Sequence, residues 1–586
     1  MIKKSSLKLC VALALCCSPG LVAPAFAGGD LPGTASTAVP QGQLGYVYVD
    51  PYNFSPLVAV IDLGGQKISN VSVTVKGKGK KGIDINYKVS DGQILTHNGI
   101  PVFGMYEDHL NVVEVKYKLG SKVQSETYKI RTSALPHIHI DGQDRTQYEY
   151  EPVVVKEGFE DRFYLVDGQV ITPNIRDKWD WIPTQNIIDT QGEVRWHMRA
   201  DVIYDRPGGS MSFKQTRDGK LIFGQGTMFD DHPGFLRPYY AKYDFLGKQS
   251  FRRELPKGYI GFSHEITEMP NGNLLIRVGK QDYLLPDGNY VDTIRDHVIE
   301  VNSNGDIVKE WDFNQILDPM RDSVLTSLDM GAVCLNVDMD QSGKTMTIED
   351  LANEPYGDLA GVGTGRNWLH VNAVGYDADD DSIIISSRHQ SAVIKIGRDD
   401  EVKWILGTPA GWQGELASKV LKPVNSKGKA LKCDDAGCEG DFDWTWTQHT
   451  AWPVPERGTV TVFDNGDGRG LTQPPMQTMK YSRGVEYKIN DKKMTVQQTW
   501  EYGKERGYEW YSPITSLTEW QEDHKTMFNA SASVGLLEGD KAPEHYITEV
   551  NPDTNEVMVE FKIKALLKHE PGYRSTVVRP GEMFSQ

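Results

Sequence analysis

Apolar and polar positions alternate at period two from about residue 43 to residue 135, as in Val71-Ser-Val-Thr-Val75 and Val112-Val-Glu-Val-Lys-Tyr117. Successive side chains of a strand point to opposite faces, so the alternation predicts half-buried strands. The Gly and Asp positions between them predict tight turns. Residues 28–140 are therefore expected to form a small antiparallel β domain of sandwich type. A polar stretch from about Leu135 to Tyr150 links it to the remainder.

The remainder repeats. Six times an apolar strand, a polar turn and a second strand follow one another, and the second strand usually carries an aromatic. The six run Ile187–Trp196, Tyr243–Phe251, Ile299–Trp311, Ile394–Trp404, Tyr487–Trp500 and Ile547–Phe561. Their spacing is about 55 to 60 residues where the repeats are compact and about 95 where insertions intervene. Between them lies a second class of signal, a polar Gly turn entering an apolar strand, as in Thr216-Arg-Asp-Gly-Lys-Leu-Ile222 and Met269-Pro-Asn-Gly-Asn-Leu-Leu-Ile276. A four-stranded unit repeated without helices predicts an all-β chain whose residues 150–586 form a six-bladed β-propeller. Stacked solenoids are the competing repeat architecture, but they show shorter and more regular periods. From about Trp412 to Trp446 the pattern breaks, with a helical stretch at Leu416–Leu421, and an insertion on one face is expected.

The start of the chain adds a compartment. Lys3, Lys4 and Lys8 precede an apolar run from Leu9 to about Val22, and Ala25-Phe-Ala27 is an A-x-A site. This predicts a signal peptide over residues 1–27, cleaved after Ala27, and export to the periplasm. An uncleaved anchor is the other reading, and the apolar run is short for a membrane span. The formal net charge of −17 argues against nucleic acid or an anionic membrane as partner, while leaving room for a local positive site. Cys10, Cys16 and Cys17 leave with the leader, whereas Cys433 and Cys438 stay in a polar loop. Their closeness in an oxidising compartment suggests one disulfide; half of a metal site is the alternative, and no second cysteine pair completes it. Cys334, in an apolar run, is expected to be a small buried hydrophobe.

Three histidines stand at a similar phase of their repeats. His264, His370 and His449 each open a strand-like stretch about ten to thirteen residues before the next apolar strand. In a propeller such positions converge on one mouth of the central channel. A lone histidine is more often structural, but packing gives no reason to repeat the residue type in phase. Converging imidazoles suit a metal ion, or nucleophilic and anion chemistry. Arg388 lies in the strand that follows His370, Ile383-Ile-Ile-Ser-Ser-Arg388. A guanidinium aimed at the cluster would repel a cation and clamp an oxyanion. Pairing of Arg388 with Asp379, Asp380 or Asp381 is the structural alternative.

Several motifs resemble one family. Gly365-Arg-Asn-Trp-Leu-His-Val-Asn372, Ser386-Ser-Arg-His-Gln390, Thr447-Gln-His-Thr-Ala-Trp452, Phe463-Asp-Asn-Gly-Asp-Gly-Arg469 and Trp500-Glu-Tyr-Gly-Lys-Glu-Arg-Gly507 are similar to motifs of the bacterial arylsulfate sulfotransferases. The resemblance runs from about Gln43 to near the C-terminus. It implies a six-bladed propeller, a periplasmic homodimer, and transfer from phenolic sulfate donors to phenol acceptors with no cofactor, metal or nucleotide sulfate donor. It implies that His449 is the nucleophile and that His264, His370 and Arg388 complete the catalytic set. Asn372, Tyr106, Tyr204 and Thr515 match substrate-binding positions. Cys433 and Cys438 match the family's loop disulfide, with a periplasmic thiol–disulfide oxidase as the partner that forms it.

The chemistry expected of these residues is ping-pong transfer. Neutral His449 attacks sulfur, a phenol leaves, and a sulfohistidine waits for the acceptor. Arg388 and His370 are expected to hold the sulfuryl oxygens, and His264 to move the proton, with either of the last two open to the shuttle role. Asp338-Met-Asp-Gln-Ser-Gly343 with Glu349 has calcium-loop spacing but strand-like flanks, so a plain acidic turn is the favoured reading. A metal-dependent propeller lyase or hydrolase and a propeller that only binds partners are the rival functions.

Overall fold

The computed structural model describes residues 44–586 except 136–137, 141–142, 146–147, 172–180, 200–209, 226–237, 287, 333–342, 346, 348–366, 473–479, 539–540 and 566–570. The expected leader, Tyr204, Cys334, Asp338 and Glu349 lie outside the described residues. The described chain is predominantly β.

The amino-terminal alternation becomes two antiparallel sheets. One is Val47–Val49, Val58–Asp62 and Gly99–Phe103; the other is Ile85–Val89, Ile68–Val75, Leu110–Leu119 and Lys122–Arg131. Val71, Val73 and Val75 stand opposite Val89, Tyr87 and Ile85, and all six are buried. One hydrophobic cluster joins both sheets and continues to Trp196, Phe245 and Leu246 of the segment that follows.

From residue 148 onward the described strands form six larger sheets, antiparallel except where Lys422–Pro423 pairs in parallel in the fifth. Sheet 1 runs Gly572–Val578, Phe163–Ile171, Trp181–Asp189 and Val194–His197. Sheet 2 runs Ser210–Gln215, Leu221–Gln225, Tyr239–Tyr243 and Gln249–Glu254. Sheet 3 runs Ile266–Glu268, Leu274–Lys280, His297–Val301 and Ile307–Asp312, with Tyr259–Ile260 also on its second strand. Sheet 4 runs Val371–Asp377, Ser382–Ser387, Ala392–Gly397 and Val402–Gly407. Sheet 5 runs His449–Val454, Thr459–Asp464, Arg483–Asn490 and Thr495–Tyr502, with Lys422–Pro423 beside the last. Sheet 6 runs Leu517–Gln521, Thr526–Val534, Glu544–Val550 and Val557–Ala565, extended by Tyr148–Val155.

Each repeated hairpin of the sequence supplies the third and fourth strands of one sheet. Its turn is set by a polar side chain that takes up free backbone donors. Asp244 Oδ1 accepts from the amides of Leu246, Gly247 and Lys248 at 3.0, 2.9 and 2.9 Å, and Gly247 adopts φ 106°. Only glycine takes that conformation without strain. The recurring tryptophan ties one sheet to the next. Trp196 Nε1 donates to Phe245 O at 2.7 Å, Trp311 to Gly397 O at 3.0 Å, and Trp500 to Asn555 Oδ1 at 2.7 Å. Each acceptor belongs to the hairpin turn of the following sheet, so a large apolar ring is buried with its N–H satisfied.

The sheets touch in a cycle. The first strands of sheets 1 and 2, 3 and 4, 4 and 5, and 5 and 6 lie near one another, the second strand of sheet 2 meets the first of sheet 3, and the second strand of sheet 6 meets Gly572–Val578 of sheet 1. The two ends of the repeat region interlock: Gly572–Val578 pairs with Phe163–Ile171, while Tyr148–Val155 pairs with Val557–Ala565. The expected helix after Trp412 is the short Gly414–Ser418 turn.

Candidate active site

The three histidines stand where the first strands of sheets 3, 4 and 5 begin, and the backbone there is distorted. His264 and His370 adopt φ of 69° and 47°, Thr450 67°, Thr515 60° and Ser516 86°. Side chains reach this left-handed region at a cost of about 1–3 kcal/mol each, which the surrounding packing must hold. The strands are also bulged. Val371 opposes Ser387 while Ala373 opposes Ser386, leaving Asn372 as the extra residue; His449 and Ala451 oppose Phe463 and Val462, leaving Thr450. A bulge bends its strand and re-aims the side chains beside it.

The result is a cluster of rings. The centroid of His264 lies 5.2 Å from that of His370 and 5.7 Å from that of His449. Tyr573, on the closing strand of sheet 1, stands edge-on to His264 and His449 at 5.9 and 5.5 Å and donates to the His264 carbonyl at 2.8 Å. All four residues are buried.

A hydrogen bond assigns the ring proton of His449. His449 Nδ1 lies 2.8 Å from Ser516 O. A carbonyl only accepts, so Nδ1 carries hydrogen and Nε2 of the neutral ring keeps its lone pair. That Nε2 is buried without a hydrogen-bond partner among the described residues. His370 Nδ1 is 3.0 Å from Asn367 Nδ2. Arg295 Nη1 lies 3.1 and 2.8 Å from the two ring nitrogens of His370. A donor nearly equidistant from both nitrogens lies against the ring face, where it opposes any positive charge on the imidazole. His389 Nδ1 donates to Asn367 O at 2.5 Å, and its ring packs 4.4 Å from that of His370. His264 Nδ1 is 2.5 Å from Ser263 Oγ, which accepts from Arg277.

Four guanidiniums surround these rings. Burial first, then Arg295 and Arg277, holds His264 well below the ordinary imidazole range. Burial and then Arg295 do the same for His370, and burial and then Arg574 for His449. Arg388 donates to Thr447 O at 2.7 Å and Pro513 O at 2.8 Å. Of the aspartates near it in sequence, Asp380 pairs with Lys395 and Lys403, and Asp381 with Arg398. Arg574 donates to Glu265 Oε2 at 2.8 Å and Asn372 O at 2.7 Å. Neutral imidazoles amid fixed positive charge attract an oxyanion and repel a metal cation. Among the described residues, no three His, Cys, Asp or Glu side chains stand together as metal ligands.

The other expected site residues fall in three places. Asn372 lies on the bulge between His370 and His449, donating to Gln448 O at 2.8 Å with its Oδ1 buried and unpartnered among the described residues. Thr515 precedes Ser516 and contacts Ser533 Oγ at 3.0 Å. Tyr106 is elsewhere: its ring lies under Arg195, 3.9 Å from the guanidinium carbon, and its hydroxyl faces Ile83 O at 3.4 Å. Among the described contacts none joins it to His264, His370 or His449. Arg295, Arg277, Arg574 and Tyr573 were not singled out by sequence. They belong to no quoted motif, and only tertiary packing brings them to the rings.

Cys433 and Cys438 are joined in a disulfide, with Cα atoms 4.0 Å apart. The half-metal-site alternative is thereby excluded. Asp434 O, inside the loop, accepts from Trp444 Nε1 at 3.1 Å, and Phe442, Trp444 and Trp446 share one cluster with the two cysteines. This aromatic run leads directly into Thr447 and His449.

Two family models match the chain: one described as Arylsulfotransferase (ASST), over residues 149–574, and one described as Arylsulfotransferase Ig-like domain, over residues 46–133. The chain is similar to the arylsulfate sulfotransferase AssT of Escherichia coli O6:H1 strain CFT073, 44% identical over 95% of this chain and 96% of that protein. It is similar also to the arylsulfate sulfotransferase AssT of Lelliottia amnigena, 43% identical over 99% of each.

Proposed function

The chain belongs to the arylsulfotransferase family and is an aryl sulfate sulfotransferase, and from that premise we propose that the sulfuryl group passes through a covalent bond to His449 Nε2. The observation that carries the proposal is this nitrogen: a buried lone pair with no partner among the described residues, on a ring whose other nitrogen donates to Ser516 O.

The donor's sulfate ester enters among Arg388, Arg295 and the His370 ring. Its negative charge offsets the guanidiniums that keep His264 neutral, so that His264 takes up a second proton from solvent in the first turnover. Nε2 forms the N–S bond as the S–O bond to the aryl group breaks, and His264 protonates the departing phenolate. The sulfonated ring is cationic, and its Nδ1–H remains on Ser516 O. The acceptor phenol then gives its proton to His264, its oxygen attacks sulfur, and the N–S electrons return to Nε2. His370 is the oxygen holder rather than the shuttle, because Arg295 lies on its face and Asn367 occupies Nδ1. A sulfuryl group carries one negative charge, so guanidiniums and imidazoles suffice by the electrostatic logic of phosphoryl transfer.

The frame around this site is a six-bladed β-propeller over residues 150–586, carried after a β-sandwich over residues 28–140. The cyclic order of six sheets and the interlocked ends support that reading. The Lys-rich start and Ala25-Phe-Ala27 support a cleaved leader and a periplasmic enzyme, acting as a homodimer whose loop disulfide is made by a thiol–disulfide oxidase. Tyr106, Tyr204, Asn372 and Thr515 are assigned to substrate binding by the family resemblance alone.

Intact mass after brief mixing with an aryl sulfate and no acceptor, in EDTA, tests the covalent step. A gain of one sulfuryl group, about 80 Da, that disappears on adding phenol and is absent from His449→Ala is the expected result. Turnover without any adduct on the wild-type protein overturns it.

A further inference from the structure

Arg574 is the buried cation whose fork links the strands around the nucleophile. It lies on the closing strand of sheet 1, 3% exposed, and donates through Nη1 to Glu265 of sheet 3 and through Nη2 to the backbone oxygen of Asn372 of sheet 4. Its guanidinium lies 5.7 Å from the Trp452 ring of sheet 5 and 4.9 Å from the Tyr573 ring. Its Nε is buried with no hydrogen-bond partner among the described residues. Glu265, next in the chain to His264, also takes the Lys214 ammonium.

We propose that Arg574 is a positioning residue of the transfer site, tying the His264 and Asn372 strands together and presenting a fixed positive charge to His449. The proposal rests on His449 being the nucleophile. Two consequences follow from the geometry. The fork fixes the carbonyl of the bulged Asn372, whose side-chain amide in turn donates to Gln448 O, next in the chain to His449. The charge disfavours a proton on His449 Nε2, so the lone pair stays available as the medium becomes acidic.

The groups around His449 set that field between them. Sheet 1 presents Tyr573 and Arg574, sheet 3 presents His264 with Glu265 behind it, and sheet 6 presents the Ser516 carbonyl, while Arg388 and Arg295 add two more cations. Burial is the largest cause of the depressed His449 basicity, and Arg574 is the largest of the charged ones. The Ser516 carbonyl acts in the opposite sense. Losing Arg574 therefore raises the affinity of His449 for a proton.

The test is the pH dependence of the second-order rate of sulfuryl adduct formation, followed by intact mass in single turnover without acceptor. Wild type must form the adduct, and His449→Ala must not, or the nucleophile assignment itself fails. With that in hand, Arg574→Gln moves the acid limb upward by about one pH unit or more, the scale of a nearby fixed charge. Arg574→Lys keeps the charge and loses the fork, so its limb stays with wild type while its rate falls at every pH. Glu265→Gln leaves Arg574 uncompensated, so its limb moves to lower pH, and it serves as the test if Arg574→Gln does not fold. An unmoved limb in Arg574→Gln or in Glu265→Gln, or a limb in Arg574→Lys as high as in Arg574→Gln, overturns the proposal.

Discussion

His449 Nδ1 donates to the backbone carbonyl of Ser516 across 2.8 Å, and Ser516 itself adopts φ 86°. The tautomer that leaves Nε2 nucleophilic is thus set by a carbonyl whose direction depends on left-handed backbone. That conformation is strained for a residue with a Cβ and is held by Ser516 Oγ, which donates to Ser512 Oγ at 2.9 Å and accepts from Ala532 N at 3.0 Å.

Ser516→Val and Ser516→Gly separate the conformation from the hydroxyl. Glycine tolerates positive φ, so Ser516→Gly is expected to keep turnover within several-fold of wild type, roughly the effect of a lost neutral hydrogen bond. Valine resists it and displaces the carbonyl, with kcat expected to fall about 100-fold and KM little changed. Steady-state kinetics with one aryl sulfate donor and a phenol decides. Equal losses in the two variants would show that the carbonyl direction is not what matters.

The disulfide loop is expected to act through the aromatic run before His449. Closing a loop this short contributes about 2 kcal/mol in the chain-entropy view. Cys433→Ser with Cys438→Ser should therefore lower the unfolding free energy by roughly that amount. It should lower turnover more than donor KM, because Asp434 O no longer steadies Trp444. Full activity in a less stable double variant would confine the disulfide to stability.

Much of this molecule was legible in its sequence because its signals are local. Each Asx-type turn with its flanking strands reads directly from residues such as Asp244-Phe-Leu-Gly247, and each recovered hairpin lies where the pattern put it. The in-phase His264, His370 and His449 were legible for the same reason: a repeat converts sequence spacing into spatial convergence. Arg574 and Tyr573 were not, since their strand joins sheet 1 from the far end of the chain. Nor was Arg295 legible, as its contact with His370 spans 75 positions and follows no motif. Tyr106 was reached by resemblance alone, and its ring packs against Arg195.

His297 gives the fold a pH dependence of its own. It is buried between Asp296, 2.7 Å from Nδ1, and Asp312, 3.3 Å from Nε2. Burial alone would lower its basicity, but Asp296 and then Asp312 overcome this and push it up to about 9. A raised value means the charged form is favoured by folding. The stabilisation is complete below the ordinary imidazole value near about 6.5 and is lost as pH rises through about 9. Melting temperatures across that window should fall for wild type and fall less steeply for His297→Gln. Parallel curves for the two proteins would remove His297 as the cause.

The contact that closes sheet 6 onto sheet 1 is an ion pair taken almost wholly out of water. Arg162 Nε and Nη2 meet the two oxygens of Glu549 at 2.8 Å each, with the two side chains 4% and 0% exposed. Tyr164 and Thr526 donate to the same carboxylate at 2.8 Å. Every acceptor site of Glu549 is thus filled by a group from one of the two sheets, which makes the carboxylate costly to strand. Arg162→Met leaves it buried beside only neutral donors and should lower the unfolding free energy by about 3–5 kcal/mol. Removing both charges in Arg162→Met with Glu549→Leu should recover most of that loss, because the penalty lies in the unpaired charge rather than in the missing pair. Denaturant unfolding of the two variants measures the difference. A double variant no more stable than Arg162→Met would mean that the closure depends on the ion pair itself, beyond the burial around it.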